Sequence, residues 1–414
     1  MDNFDRNLDR YAELLVRHGL NVQKGQDVYI GTEPIHRDFV TKIVKAAYQA
    51  GARVVSVDMQ DPRNARTRIL ETQTDDYLNY VVPAVPFRFE SMIPETAATL
   101  RLIGSEYPEI LADLDPKKVN QVEFNYKKSL KKFYEEGIGH SKVQWTVAAA
   151  ATPAWGKKVF PELNEKAAYE ALWDEIFKIC RVDQPNYLEL WKTHNGLLEQ
   201  RAKKLTEMQI KYLHFTGPGT DLKVGLSTHA KFLGGCSISA RKVFFEANIP
   251  TEECFTTPDY HMTEGRAKVT RPFLINGTQV RGLNLEFKNG EITNFNADEG
   301  AESFSECIKA DRGAKFLGEV ALVGTDSPIY QSGRVFEEIL FDENAACHIA
   351  IGFAYRFCVD GSEKMSPEDL EKVGCNTSSV HTDMMISSDQ VDVIAECYSG
   401  KSIPLIQKGK WAQF

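Results

Sequence analysis

With 414 residues, 43% of them hydrophobic and 26% charged, the chain has the composition of a globular protein and enough length for two or three domains that each bury a core. Its net charge of −9 arises from interleaved acids and bases, which excludes the concentrated basic surface that nucleic-acid binding requires. No run of about 20 apolar residues is present to cross a bilayer, so neither nucleic acid nor a membrane is an expected partner.

The opening segment "MDNFDRNLDRYAELL" is charged from Asp2 and lacks a basic stretch followed by an apolar one, so no secretory leader is expected. Leu8, Tyr11 and Leu15 recur at helical spacing, and "DVYIGT" is a short apolar run ending in turn residues. "RDFVTKIVKAAYQAG" repeats apolar groups at Phe39/Val40, Ile43/Val44 and Ala47 before Gly51, which predicts a helix closed by a glycine cap. "ARVVSVDM" then returns to strand character, and this alternation over short loops predicts a βαβ unit, because parallel strands need a crossover between them. His36, in the loop after "GTEPI", stands where open α/β sheets often hold ligands, but it is read as a loop histidine with no assigned role. "KKSLKKFYEE" reads as a solvated helix face, "VQWTVAAAAT" as a buried strand and "EKAAYEALWDEIFKIC" as an amphipathic helix.

The rhythm changes near Glu207, where "KLTEMQIKYLHF" passes from helix to strand. "GPGTDL" has glycines but neither the lysine of a phosphate-binding loop nor GxGxxG spacing, and predicts a turn into a strand. Asn276-Gly277 and Asn289-Gly290 each separate alternating runs and predict tight hairpins. The expected architecture is therefore an α/β domain with a parallel sheet over residues 1–206 and a β-rich α+β domain over 207–414. The eight cysteines include no CxxC pair, which gives no zinc-finger spacing and fits reduced thiols in a cytoplasm.

The chemistry is carried by polar residues that interrupt the β-like runs of the second half. In "VHTDMMI", His381 and Asp383 are two apart, the period that puts side chains on one face of a strand, so they can share a ligand. "IPTEECFTTPD" offers Glu252 and Glu253, "KFLGEVALV" places Glu319 in an apolar strand, and "FDENAACHIAIGFAY" adds Glu343 and His348. Each acid read singly is a surface residue at a strand end. Together the carboxylates and imidazoles form the mixed donor set that suits Zn²⁺, Co²⁺ or Mn²⁺. They outnumber the needs of one tetrahedral ion, and two ions about 3.5–4 Å apart sharing a carboxylate would use them.

The segments "NIPTEECFTTPD", "LGEVALV", "LFDENAACHIAIGFAY" and "NTSSVHTDMMI", in this order, resemble those of the aminopeptidase T/S family, the M29 metallopeptidases, and the likeness extends to "GQDVYI" and "INGTQVRGLNLEFKNGEI". The resemblance implies a metal-dependent aminopeptidase whose β-rich domain carries two divalent ions, zinc, cobalt, manganese or magnesium. Carried over residue by residue, it implies Glu253, Glu319, His348, His381 and Asp383 as ligands, with Glu319 resembling a bridge. Glu343 matches a position close to the metals, either a ligand or a proton-handling carboxylate, and Tyr355 a tyrosine facing the reacting carbonyl. In a regular strand His348 and Tyr355 would point to opposite faces, so a bulge or turn near Gly352 is required for both to serve one site; otherwise Tyr355 is core.

The resemblance further implies short peptide substrates and a homodimer. The general base stays open between Glu343 and a metal-activated hydroxide. No HExxH occurs, so the single-zinc protease plan does not apply. Two other classes remain: a dinuclear phosphoesterase, since the same donors serve phosphate esters, and a nucleotide-binding, dehydrogenase-like protein, against which the missing phosphate-binding fingerprint counts.

Overall fold

A computed structural model describes residues 3–275 and 277–413. Two compact units divide the chain. The first runs up to Lys192 and takes in Cys236–Pro250; the second comprises Thr193–Gly235 and the residues from Thr251 onward. The expected division at 206/207 falls at the end of the helix Tyr187–Glu207, whereas the compact units change over inside that helix.

In the first unit five parallel strands lie in the order Val54–Met59, Asp27–Thr32, Ala98–Ile103, Gln144–Ala149, Asn248–Ile249. Helix Arg37–Ala50 forms where the spacing places it: Phe39, Val40, Ile43 and Ala47 are buried, and Gly51, at φ +103°, sends its N–H back to the carbonyls of Ala47 and Tyr48. Leu8, Tyr11 and Leu15 are likewise buried along Asn3–Leu14 and the wider turn Leu15–Gly19 that continues it. The "KKSLKKFYEE" stretch is solvated only in part: it starts within helix Pro116–Ser129, which buries none of its side chains, but Leu130 and Phe133 turn inward, Phe133 into a small core with Met92 and Val143. His36 is buried with Nε2 2.7 Å from the Gly104 carbonyl, which gives it a structural partner.

The second unit holds an eight-stranded antiparallel sheet and a four-stranded antiparallel sheet. In the smaller sheet the order is Cys254–Thr256, Leu317–Leu322, His348–Gly352, His381–Met385. Val320, Leu322, Ile349, Ile351 and Met384 of that sheet join Leu213, Phe215, Val224, Leu285 and Val393 of the larger one in a single core. The α/β half with a parallel sheet and the β-rich half are thus as expected. "GPGTDL" is the turn between Ile210–Gly217 and Thr220–Gly225, with Gly219 at φ +80°. Gly277 turns between Phe273–Ile275 and Thr278–Val280, and Asn276, the other half of that predicted hairpin signal, lies outside the described residues.

Asn289 and Gly290, at φ +50° and +82°, form the two-residue turn between Asn284–Lys288 and Glu291–Asn296. A Cβ at position 290 would collide with the Tyr260 carbonyl. Replacing Gly290 by Ala is expected to cost at least about 1–2 kcal/mol, from the left-handed backbone alone, and to lower the urea midpoint of unfolding; an unchanged midpoint would contradict this account of the turn.

Candidate metal centre

The smaller sheet has one face turned to the core and another that carries the acids. Because side chains directly opposite one another in an antiparallel sheet share a face, the register decides who meets whom. Glu319 pairs with Ala350, which pairs with Asp383; Ala321 pairs with His348; Gly352 pairs with His381. Glu319, His348, His381 and Asp383 therefore stand on one face, spaced by the small residues Ala321, Ala350 and Gly352. Val320, Ile349 and Met384, one residue out of phase, fill the core on the other side. Glu253 comes from the residue just before the edge strand Cys254–Thr256, whose Cys254 turns into the core.

Donor atoms of Glu253, Glu319 and His348 lie within 4.8 Å of one another, and so do those of Glu319, His381 and Asp383. Glu319 is common to both triads. His348 Nε2 is 3.3 Å from Glu253 Oε2, and His381 Nε2 is 3.3 Å from Glu319 Oε2 and 3.4 Å from Asp383 Oδ1. His381 Nδ1 lies 2.9 Å from the Phe353 carbonyl, which can only accept, so that nitrogen carries the proton and Nε2 is the one aimed at the carboxylates. The donor set, three carboxylates and two imidazoles with one carboxylate shared, fits a pair of divalent cations of borderline hardness.

The electrostatics follow from this crowding of buried charge. Burial, then the charges of Asp383, Glu253 and Glu319, push the Glu343 carboxyl well above its ordinary range. Burial works to lower the pKa of His381, but Asp383 and Glu319 prevail and raise it to about 11. Burial likewise opposes ionisation of Asp383, yet His381 and His348 hold its pKa below the usual value. Buried negative charge here exceeds buried positive charge, a condition that protons or cations must relieve.

Tyr355 reaches this cluster by the turn that the strand arithmetic requires. His348–Gly352 stops at Gly352, where φ is +94° and a Cβ would collide with the Val380 carbonyl. Beyond it the Tyr355 ring lies 5.3 Å from the His381 ring and stacks on Phe357 at 5.0 Å. Burial and the four surrounding carboxylates raise its phenol pKa well above the ordinary value, so the hydroxyl keeps its proton at neutral pH.

Of the neighbouring acids, Glu252 does not join the triads; its Oε2 sits 3.5 Å from His194 Nε2. Asp342 is a structural acid, accepting from the N–H groups of Phe336 and Glu338. Nothing in the sequence singles out Asn344, whose residue type and spacing carry no metal-binding signal. Its Oδ1 accepts the Glu252 N–H at 2.7 Å and its Nδ2 lies 3.4 Å from Glu343 Oε1, so one buried amide ties the Glu253 segment to Glu343. His214 and His261 pair with Asp221 and Asp259, outside the cluster.

The loop that delivers His381 is braced by Asp311, whose carboxylate accepts from Ser378 Oγ at 2.9 Å, from Ser379 N–H and Oγ at 2.7 Å each, and from the Ala314 N–H at 3.0 Å. Asn376 donates to the carbonyls of Gly313 and Gly352, fixing the turn beside it.

The model of the family described as "Thermophilic metalloprotease (M29)" matches residues 4–411. Aminopeptidase AmpS of Bacillus subtilis is 37% identical over 412 residues, spanning 100% of both chains. Aminopeptidase T of Thermus thermophilus is 39% identical over 415 residues, 99% of this chain and all of that protein. A solved structure of wild-type AmpT from Thermus thermophilus superposes with a TM-score of 0.92 at 36% identity, covering 99% of this chain and 100% of that one. These similarities bear out the resemblance read from the four ordered motifs and lend nothing to the phosphoesterase or dehydrogenase alternatives.

Two substitutions follow from the geometry. Ala350→Leu projects a bulky side chain between Glu319 and Asp383; it is expected to empty the purified protein of divalent metal, assayed by elemental analysis, while costing about 1–3 kcal/mol of stability and leaving the circular dichroism spectrum intact. Asp311 is pulled both ways: burial raises its pKa, but the hydrogen bonds from Ser379, Ser378 and Ala314 outweigh it and hold the carboxyl below its usual value. Its contribution is therefore complete above about pH 4 and is lost as the pH falls through the depressed folded pKa. Asp311→Asn is expected to lower the urea midpoint at neutral pH and to flatten its decline in acid, and a parallel decline in both proteins would refute the assignment.

Proposed function

The chain belongs to the M29 metalloprotease family, and from that premise we propose that it is a metallo-aminopeptidase releasing N-terminal residues from short peptides. Glu319 standing in two donor triads at once is the observation that carries the reading. One cation is assigned to Glu253, Glu319 and His348, the other to Glu319, His381 and Asp383, with zinc, cobalt, manganese or magnesium as the ion. Bound there, a pair of divalent cations polarises a peptide carbonyl and lowers the pKa of water toward neutrality.

The protein's own groups have separable tasks. Glu343, kept protonated more readily than an ordinary acid and excluded from both triads, is assigned the movement of a proton between the attacking water and the leaving amine. Tyr355 keeps its hydrogen at neutral pH and is assigned donation to the developing oxyanion. Phe255, Phe353 and Phe357 contact its ring and fix its orientation. The substrate's free α-amine is assigned to the carboxylate-rich floor of the site, which favours a cation over a blocked terminus.

We assign the enzyme to the cytoplasm, on its cysteine usage, and to a homodimer, on the exposed apolar residues Val54, Val57 and Met59 along the outermost strand of the parallel sheet, which an exposed edge leaves uncovered. Among the described residues no helix is long and apolar enough to cross a membrane.

The deciding experiment strips the protein with a chelator and restores single metals. Unblocked di- and tripeptides are expected to be cleaved only after restoration, N-acetylated peptides and a chromogenic phosphate ester not at all. Glu319→Gln is expected to lower kcat/KM by more than about 100-fold together with the bound metal content. Full peptide cleavage by the exhaustively stripped protein, or hydrolysis of the phosphate ester at a comparable rate, sinks the proposal.

A further inference from the structure

The first unit contains a second cluster with metal-binding chemistry, and no step proposed above uses it. His18 lies in the turn Leu15–Gly19, while Cys236 and Glu246 belong to the Cys236–Pro250 segment. Their donor atoms lie within 4.8 Å of one another. Glu246 Oε2 is 3.8 Å from His18 Nε2 and 3.7 Å from Cys236 Sγ. The imidazole–carboxylate separation is longer than a hydrogen bond. It is close to an edge of a coordination tetrahedron: bonds of about 2.0–2.3 Å to nitrogen, oxygen and sulfur place neighbouring donors roughly 3.4–3.6 Å apart.

The surroundings hold these groups in place without the cation. The Glu246 N–H donates to the Gly19 carbonyl at 2.8 Å, Thr146 Oγ donates to the Glu246 carbonyl at 2.8 Å, and Asn21 Nδ2 donates to the Phe244 carbonyl at 2.7 Å. The His18 ring rests against Trp191, with centroids 5.3 Å apart. Glu246 is only 2% exposed, so its carboxylate is held by the protein rather than by bulk water and stands ready as a ligand.

We propose that His18, Cys236 and Glu246 bind one zinc-like divalent cation, with a fourth position open to water. The thiolate selects against magnesium and calcium, and the nitrogen and oxygen donors suit zinc or cobalt. Such an ion is a structural clip. It ties the Cys236–Pro250 segment to the first unit just upstream of Thr251, where the chain goes on to Glu253.

Cobalt(II) separates this site from the other, because the donors assigned there are all oxygen and nitrogen, whereas a cysteine ligand produces a near-ultraviolet sulfur-to-cobalt charge-transfer band. The chelator-stripped full chain is titrated with cobalt(II) chloride. The wild type is expected to develop the band, His381→Asn to keep it, and Cys236→Ser to lose it and to bind one cobalt fewer per chain, with folding followed by circular dichroism. Glu246→Gln, which retains the thiol, is expected to need at least about tenfold more cobalt for the same band. Absence of the band in folded wild type at saturating cobalt, its survival in Cys236→Ser, or an unshifted titration in Glu246→Gln overturns the proposal. Loss of peptidase activity does not enter the readout, so failure here and failure of the aminopeptidase reading are told apart.

Discussion

Three carboxylates and two imidazoles gathered in two overlapping triads, with a fourth carboxyl, that of Glu343, under their charge, constitute the constraint around which the second unit is organised. The charges of Glu253, Glu319 and Asp383 bear on the Glu343 carboxyl in a medium that screens poorly, and His381 balances only part of that charge. An arrangement of this kind persists only where the backbone over-determines it. The four-stranded sheet does so: a packed apolar face anchors Val320, Ile349, Ile351 and Met384, and the opposite face is obliged by alternation to present Glu319, His348 and Asp383.

Small residues decide whether that face can hold anything. Ala350 lies between Glu319 and Asp383 in the register, and Gly352 lies opposite His381 at the point where the strand turns away. Larger side chains there would fill the space between donors before any cation arrived. The left-handed backbone of Gly352 has a second effect, since it takes Tyr355 out of the strand's alternation and returns it to the same site. The glycine thus solves a geometric conflict between His348 and Tyr355 that no regular strand resolves.

Around the cluster, supporting hydrogen bonds do quieter work. Asp311 and Asn376 shape the "NTSS" approach to His381, and Asn344 links two segments that bring acids to the site from separate parts of the chain. The polar residues of these motifs therefore divide into those facing the cluster and those holding the loops that carry it. Glu252 and Asp342 illustrate the division, each adjacent to a site acid and each engaged elsewhere.

Local periodicity was enough to read the helix Arg37–Ala50, the parallel βαβ start, the Asn289-Gly290 hairpin and the fold class, because those depend on neighbours a few residues apart. The ordered motifs carried the family, and the two-residue spacing of His381 and Asp383 placed them on one face. The strand register was beyond its reach: pairing Glu319 through Ala350 to Asp383 joins residues more than 60 positions apart, and a slip of one residue would turn each acid into the core. Nor did it indicate the return of Cys236–Pro250 to the first unit, since a short segment's packing partners are set by the whole sheet it completes rather than by its own pattern. Alternation and spacing are properties of the local chain, while which faces meet is decided only when distant strands compete to bury the same apolar surface.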